Sequence, residues 1–218
     1  MSTFAQADSQ YRAAVLAPGR ELEAAFEAAR ALGAPKLDGD ELTEAVLLRL
    51  QAYVQCQAAI KSSLNKVYAA PAADFFVETI VFYLQVAFDG LGAGLHVASE
   101  RNIEKRSGSL RPDITIWKDT QLIAAVECKT QLGWNRDGWT QDFEEREAKL
   151  EKVWPKARLL LLVMTASNWS GFGEDNRVGR KFFVLLRDRL LDMRSYHSNL
   201  VVHRLEELIA SLLHPAEA

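Results

Sequence analysis

The chain contains few cysteines, no long apolar run and no excess of positive charge. Its two cysteines among 218 residues, Cys56 and Cys128, are too few for a disulfide framework and too isolated for a zinc site. No stretch approaches the roughly 18 consecutive apolar residues of a membrane span, and residues 1–10 lack the basic start and apolar run of a signal peptide. We therefore expect a cytoplasmic protein with reduced cysteines and no membrane partner.

The net charge of −3 argues mildly against a nucleic-acid partner, because contacts to phosphates usually require a basic surface. Basic residues are nonetheless concentrated in two parts of the chain. They are Arg101, Lys105, Arg106 and Arg111 in the first part, and Arg177, Arg180, Lys181, Arg187 and Arg189 in the second. Each group fits a solvated surface and a nucleic-acid contact equally well.

The first third of the chain predicts helices that carry no catalytic signature. Apolar residues recur at helical spacing over 9–33 and 40–68. We assign 1–70 to an N-terminal helical region, which we expect to pack on the rest of the protein or to support a homodimer. Residues 71–218 are then the part of the chain in which chemistry is expected.

The order of the remaining elements predicts an α/β fold with a mixed central sheet flanked by helices. Residues 72–88 predict a helix that is apolar nearly all round and therefore buried. The carboxylate of Glu78 in this helix shares a face with aromatic rings and needs a partner. Further helices are predicted at about 139–155, at 180–193 and up to residue 214, and strands at 95–106, 111–118, 122–130, 158–165 and 200–203.

Three charged residues lie on the second and third predicted strands. Side chains alternate along a strand, so Glu127 and Lys129 share one face of the third strand. If the apolar residues Ile114 and Val126 face each other, Asp113 falls directly opposite Glu127. This register predicts a connection with an odd number of residues, because a two-residue turn would place Asp113 on the wrong face.

Two opposed carboxylates repel each other unless a cation lies between them. A divalent metal ion meets this need, and two carboxylates beside a lysine are typical of metal-assisted phosphodiester cleavage. The alternative is a structural ion pair between Glu127 and Lys129 that performs no chemistry. The third acid, Glu78, favours the metal interpretation because it has no obvious partner of its own.

Pro112-Asp113, thirteen intervening residues and then Glu127-Cys128-Lys129 resemble the motif of the PD-(D/E)xK nuclease superfamily. The order of predicted elements from about residue 72 to 165 is also similar to the core of this family. The resemblance implies a restriction-endonuclease-like nuclease core over 71–218. The first 70 residues lie outside it.

The resemblance also implies a role for each residue of the motif. Asp113 and Glu127 would bind Mg²⁺, for which Mn²⁺ would substitute, and the carbonyl of Cys128 would complete the coordination. Lys129 would position the attacking water. Glu78 would correspond to the acid that the family carries on a helix, and Gln131, on the same face of the strand as Lys129, is a candidate contact to the phosphate or the water.

The function implied is a magnesium-dependent DNA endonuclease of type II restriction or defence type. We expect it to act as a homodimer, since one active site cuts one strand, with a cognate methyltransferase or another defence-system subunit as a candidate partner. The alternatives are a resolvase or nickase acting on branched or damaged DNA, and a non-catalytic nucleic-acid-binding subunit that keeps the fold. The candidate DNA contacts are Arg111, Trp169, Arg177, Arg180 and Lys181.

Overall fold

The computed structural model describes residues 3–106, 108–132, 138–166, 172–187 and 200–214. Its helices are α1 (Phe4–Ala7), α2 (Ser9–Ala31), α3 (Glu41–Ser63), α4 (Ala73–Gly90), α5 (Trp139–Val153) and α6 (Leu205–Leu213). Its strands are β1 (His96–Ser99), β2 (Ile114–Lys118), β3 (Gln121–Leu132), β4 (Arg158–Ala166) and β5 (Phe182–Arg187). The α/β class predicted from the sequence is confirmed.

The described strands form one five-stranded sheet in the order β1-β2-β3-β4-β5. The first three strands pair antiparallel, whereas β3, β4 and β5 pair parallel. A parallel connection must cross over the sheet, and α5 makes this crossing between β3 and β4. The sheet is therefore mixed, as predicted, and helices pack on both of its faces.

Each strand contributes alternate residues to the two faces of the sheet. One face packs on α4, and we call it the α4 face; its strand residues include Ile114, Ile116, Ala124, Val126 and Cys128. The other packs on α5, and we call it the α5 face; its strand residues include Trp117, Leu122, Ala125, Leu161 and Val163. Glu127 alternates with Val126 and Cys128 and therefore belongs to the α5 face.

The pairing of β2 with β3 has the predicted register, with Ile114 opposite Val126. The predicted connection is wrong. Lys118 pairs with Gln121 across a two-residue turn, in which Asp119 adopts a φ of 53°. The register then shifts by one residue, because Ile123 has no partner on β2. This β-bulge supplies the additional residue that we predicted for the turn. As a result, Asp113 and Glu127 lie on the same face of the sheet.

The N-terminal helical region contains a packed helix and an exposed one. Leu42, Val46 and Leu50 of α3 are buried in the core of the α4 face, whereas α2 has no buried residue. Glu206, fully buried on α6, accepts hydrogen bonds from the backbone N–H groups of Leu42 at 2.7 Å and Thr43 at 3.3 Å. These are amides that the start of a helix leaves without a partner. Helix α3 thus shares its core with the sheet, and the boundary near residue 70 stays a prediction.

The prediction of a helix at 180–193 is wrong for Phe182–Arg187, which form β5. Phe182 and Val184 are buried on the α5 face, while Phe183 and Leu185 are buried on the α4 face. A continuous apolar run fits a helix and a strand covered on both sides equally well. Residues 188–199 lie outside the described part of the chain.

Two other predicted strands are shorter in the structure. β1 ends at Ser99, and the next residue, Glu100, has a φ of 48°, which lies outside the range of strand backbone. The strand expected at 200–203 is reduced to a single bridge between Val201 and Leu186. Among the described helices, none combines the length and the apolar character needed to cross a membrane.

Candidate functional site

A cavity of about 1020 Å³ lies beside the second half of β3. Its lining contains all the residues that the sequence predicts as catalytic, namely Glu78, Asp113, Glu127, Lys129 and Gln131. The start of α4 and the inner side of α5 supply the remaining walls. The folded chain therefore brings together groups that are up to 53 residues apart in the sequence.

Asp113 is held against β3 by a hydrogen bond. It lies directly before β2, and its Oδ2 atom accepts the backbone N–H of Cys128 at 2.7 Å. Its backbone carbonyl accepts the N–H of Glu100 at 3.0 Å. Because Cys128 lies between Glu127 and Lys129, the first of these bonds fixes the carboxylate of Asp113 beside both charged side chains.

Glu127 is a buried acid with only 4 % of its surface exposed. Its Oε1 atom accepts a hydrogen bond from Nη2 of Arg146 at 2.6 Å. Burial raises the pKa of Glu127 above its usual value; the guanidinium of Arg146 lowers this pKa, and the neighbouring carboxylate of Asp113 raises it further.

Arg146 is the site residue that the sequence reasoning missed. It lies on α5, lines the cavity and donates a second, longer hydrogen bond to the carbonyl of Arg111 at 3.4 Å. The signal was present in the helical spacing, since Arg146 follows Phe143 by three residues and precedes Leu150 by four, and both are buried on the α5 face. The sequence predicted a metal ion or Lys129, and not a helix residue, as the partner of Glu127.

The remaining motif residues differ in exposure. Lys129 is half-buried and Gln131 is exposed, and both line the cavity. The side chain of Cys128 belongs to the core of the α4 face. Burial raises the pKa of its thiol well above the usual value, so the thiol stays protonated at neutral pH.

Glu78 corrects one expectation about α4. The sequence predicts a buried carboxylate that needs a partner, but Glu78 is exposed where it lines the cavity. Ala73 and Asp74 in the first turn of α4 are exposed as well. Water therefore solvates this acid, and its position at the cavity does not depend on an ion pair.

Three of the predicted DNA contacts, Arg177, Arg180 and Lys181, are engaged in ion pairs or hydrogen bonds. Lys181 Nζ lies 2.7 Å from Glu147 Oε1. Arg180 donates hydrogen bonds to the carbonyl of Asn176. Neither residue lines the described part of the cavity.

Arg177 is held more tightly than these two residues. It pairs with Asp175 at 2.7 Å and with Glu144 at 3.0 Å, and its guanidinium lies 4.5 Å from the ring centroid of Phe182. Arg111 is exposed and lies 3.9 Å from Glu100. Trp169, the remaining predicted contact, falls outside the described residues.

The donor atoms at the cavity suit a hard divalent cation. Within the described ranges, no three carboxylate, histidine or cysteine side chains converge closely enough to hold a metal ion by themselves. Mg²⁺, however, commonly uses one or two protein carboxylates and completes its shell with water and substrate phosphate. Asp113 and Glu127 fit that pattern. In the structure, the guanidinium of Arg146 balances the charge of Glu127.

We compared the chain with family models, with curated proteins and with solved structures. None of them matches. The function of the site is therefore argued from its own geometry and chemistry.

Proposed function

We propose that the protein is a magnesium-dependent nuclease that hydrolyses phosphodiester bonds of DNA, with a restriction-endonuclease-like core. One observation carries this proposal: the hydrogen bond from Cys128 N–H to Asp113 places two carboxylates and Lys129 together at one cavity. Two acids and a lysine are the groups that metal-assisted phosphodiester hydrolysis requires.

Each residue has a distinct task in this proposal. Asp113 and Glu127 provide carboxylate oxygens for the divalent ion, and the carbonyl of Cys128 is a third candidate ligand. The bound ion would polarise the phosphate and lower the pKa of the attacking water. Lys129 orients that water or the phosphate through its ammonium group. Glu78 and Gln131 act from the exposed rim of the cavity.

A restriction or defence role is part of the same proposal, with Mn²⁺ able to replace Mg²⁺. A homodimer is expected because one site cuts one strand of a duplex. The exposed apolar side chains of α2, among them Tyr11, Val15 and Leu22, are available for such an interface. A methyltransferase or another defence subunit is the proposed partner.

One observation favours a second candidate, a nucleic-acid-binding subunit without catalysis. Arg146 already holds Oε1 of Glu127 at 2.6 Å, and a guanidinium kept there permanently blocks this oxygen and repels a divalent ion from the other one. The two candidates differ in whether the Arg146–Glu127 pair opens. DNA binding without cleavage would favour this second candidate.

The test is cleavage of supercoiled plasmid and phage DNA in Mg²⁺ or Mn²⁺ by the wild type and by Lys129→Ala. Lys149→Ala is the matched control, because Lys149 also lines the cavity but lies on α5. We expect metal-dependent fragments from the wild type and from Lys149→Ala, and loss of cleavage by at least about a hundredfold in Lys129→Ala. Nicking alone would favour a resolvase or nickase, and intact DNA in every sample would contradict the nuclease proposal.

A further inference from the structure

Arg146 and Glu127 form an ion pair inside the candidate site. The Nη2–Oε1 distance is 2.6 Å, and the exposed fractions of the two side chains are 34 % for Arg146 and 5 % for Glu127. A carboxylate buried this deeply needs its cation, since removing one member of such a pair leaves an uncompensated charge. The guanidinium of Arg146 thus already neutralises Glu127, the acid that we assign to a divalent ion.

The divalent ion and Arg146 compete for the same carboxylate. A guanidinium at 2.6 Å from Glu127 occupies a metal-binding oxygen and adds a positive charge that repels an arriving cation. A divalent ion that binds Oε1 must therefore displace Arg146, and one that approaches Oε2 is repelled by the guanidinium as long as the pair stays closed. The free protein should bind the ion weakly, because part of the binding free energy is spent on breaking the ion pair.

Arg146 has donors available for another acceptor. Its Nε atom is buried and has no hydrogen-bond partner among the described residues, although a guanidinium offers five N–H donors. The side chain also lines the cavity. A phosphate that enters the cavity can accept two parallel hydrogen bonds from a guanidinium and thereby satisfy this group.

We propose that Arg146 is a positioning residue that occupies Glu127 in the free protein and transfers to a substrate phosphate when a divalent ion takes its place. This inference rests on the proposed function, since it assumes that Asp113 and Glu127 hold the ion. It adds that metal ion and phosphodiester bind cooperatively, because each one favours the state in which the ion pair is open.

Lys149 provides a matched control for charge. It lies three residues after Arg146 on α5 and lines the same cavity. No ion pair to Lys149 is formed among the described residues. Arg146→Gln and Lys149→Gln each remove one positive charge from the cavity wall, but only Arg146→Gln releases Glu127.

The first experiment is calorimetric titration with MnCl₂ in the absence of DNA. We expect Arg146→Gln to bind Mn²⁺ at least about tenfold more tightly than the wild type, and Lys149→Gln to change the affinity less than about threefold. Equal changes in the two variants would show a general effect of charge and overturn the inference. An unchanged affinity in Arg146→Gln would overturn it as well.

The second experiment uses the wild type alone and does not depend on the folding of a variant. Mn²⁺ affinity is measured with a short duplex carrying phosphorothioate linkages that resist cleavage, and with a methylphosphonate duplex whose backbone is neutral; binding of Mn²⁺ to each duplex by itself is subtracted. We expect at least about fivefold tighter Mn²⁺ binding with the charged duplex only. No difference between the two duplexes would overturn the inference.

The two proposals fail in different ways. Cooperative binding of Mn²⁺ and duplex that weakens in Arg146→Gln, without any cleavage, would support the role of Arg146 and reject the nuclease. Cleavage with no cooperativity and no effect of Arg146→Gln on Mn²⁺ affinity would support the nuclease and reject the role of Arg146. Absence of Mn²⁺ binding in the wild type and in Arg146→Gln would reject both.

Discussion

The two faces of the sheet contrast most clearly along β3. On the α4 face the strand contributes Val126 and Cys128, which are 0 % and 8 % exposed and pack among apolar side chains. On the α5 face the alternate residues are Glu127 and Lys129, which line a cavity of about 1020 Å³. Alternate residues of this one strand thus form an apolar side and a charged side.

The contrast shows how the fold supports a buried acid. Burying Glu127 is unfavourable even with Arg146 as its partner, because desolvation of both charges opposes their attraction. The α4 face buries large apolar side chains, such as Phe76 and Leu84 at 0 % exposure, and this burial stabilises the sheet. We therefore expect changes on the α5 face to affect activity and changes on the α4 face to affect stability.

The largest expected effect is on activity, from Asp113→Asn. The amide oxygen of the introduced asparagine can still accept the N–H of Cys128, so the local structure is retained while the negative charge is lost. We expect cleavage to fall by about a thousandfold, measured as the initial rate of plasmid cleavage. A thermal melting temperature equal to that of the wild type serves as the control for folding, and cleavage that persists in Asp113→Asn would remove this acid from the proposed site.

The next effect is on stability, from Leu84→Ala in α4. Leu84 is fully buried in the core of the α4 face and is not part of the described cavity lining. We expect the free energy of unfolding to fall by about 2–5 kcal/mol, as for other buried leucines, measured by urea denaturation. The cleavage rate per folded molecule should stay within about twofold of the wild type. A large loss of rate without loss of stability would contradict the division of roles between the faces.

The smallest effect is the pH dependence that His203 contributes to stability. Its Nδ1 atom accepts the N–H of Val184 at 3.1 Å, and burial lowers its pKa below the usual 6.5, although Glu207 partly opposes this. The unfolded chain therefore binds the proton more readily than the folded protein does. The stabilisation that neutral His203 contributes is complete above about pH 6.5, and it declines as the pH falls through this value toward the lower pKa of the folded state.

Urea denaturation at several pH values checks this sign. The unfolding free energy of the wild type should fall between about pH 7.5 and pH 5.5, and His203→Gln should show a smaller decrease. Equal decreases in both proteins would assign the pH dependence to other groups.

The sequence predicted the pairing of β2 with β3 but not the way in which the chain achieves it. Apolar alternation specifies that Ile114 lies opposite Val126, because any other register would expose apolar side chains. It does not specify where an extra residue is placed, since a longer turn and a bulge at Ile123 give the same pattern. Asp119, which tolerates a φ of 53°, permits the shorter turn.

The sequence predicted which residues come together at the cavity better than it predicted their interactions. Glu78, Asp113, Glu127, Lys129 and Gln131 all line one cavity, because strand alternation and helix position determine where side chains lie. Partners across elements depend on the packing of α5 against the sheet, which local patterns do not encode. For that reason the ion pair of Glu127 with Arg146 and the exposure of Glu78 required the structure.

The buried carboxylate of Glu206 has a consequence for synthesis of the chain. It is the acceptor for the first amides of α3, yet it is translated 164 residues after Leu42. A nascent chain that has completed α3 and the sheet still lacks this acceptor and the apolar side chains of α6, so its core stays open until translation reaches α6. A product that stops before residue 205 would expose that unfinished core and become a substrate for chaperones and proteases.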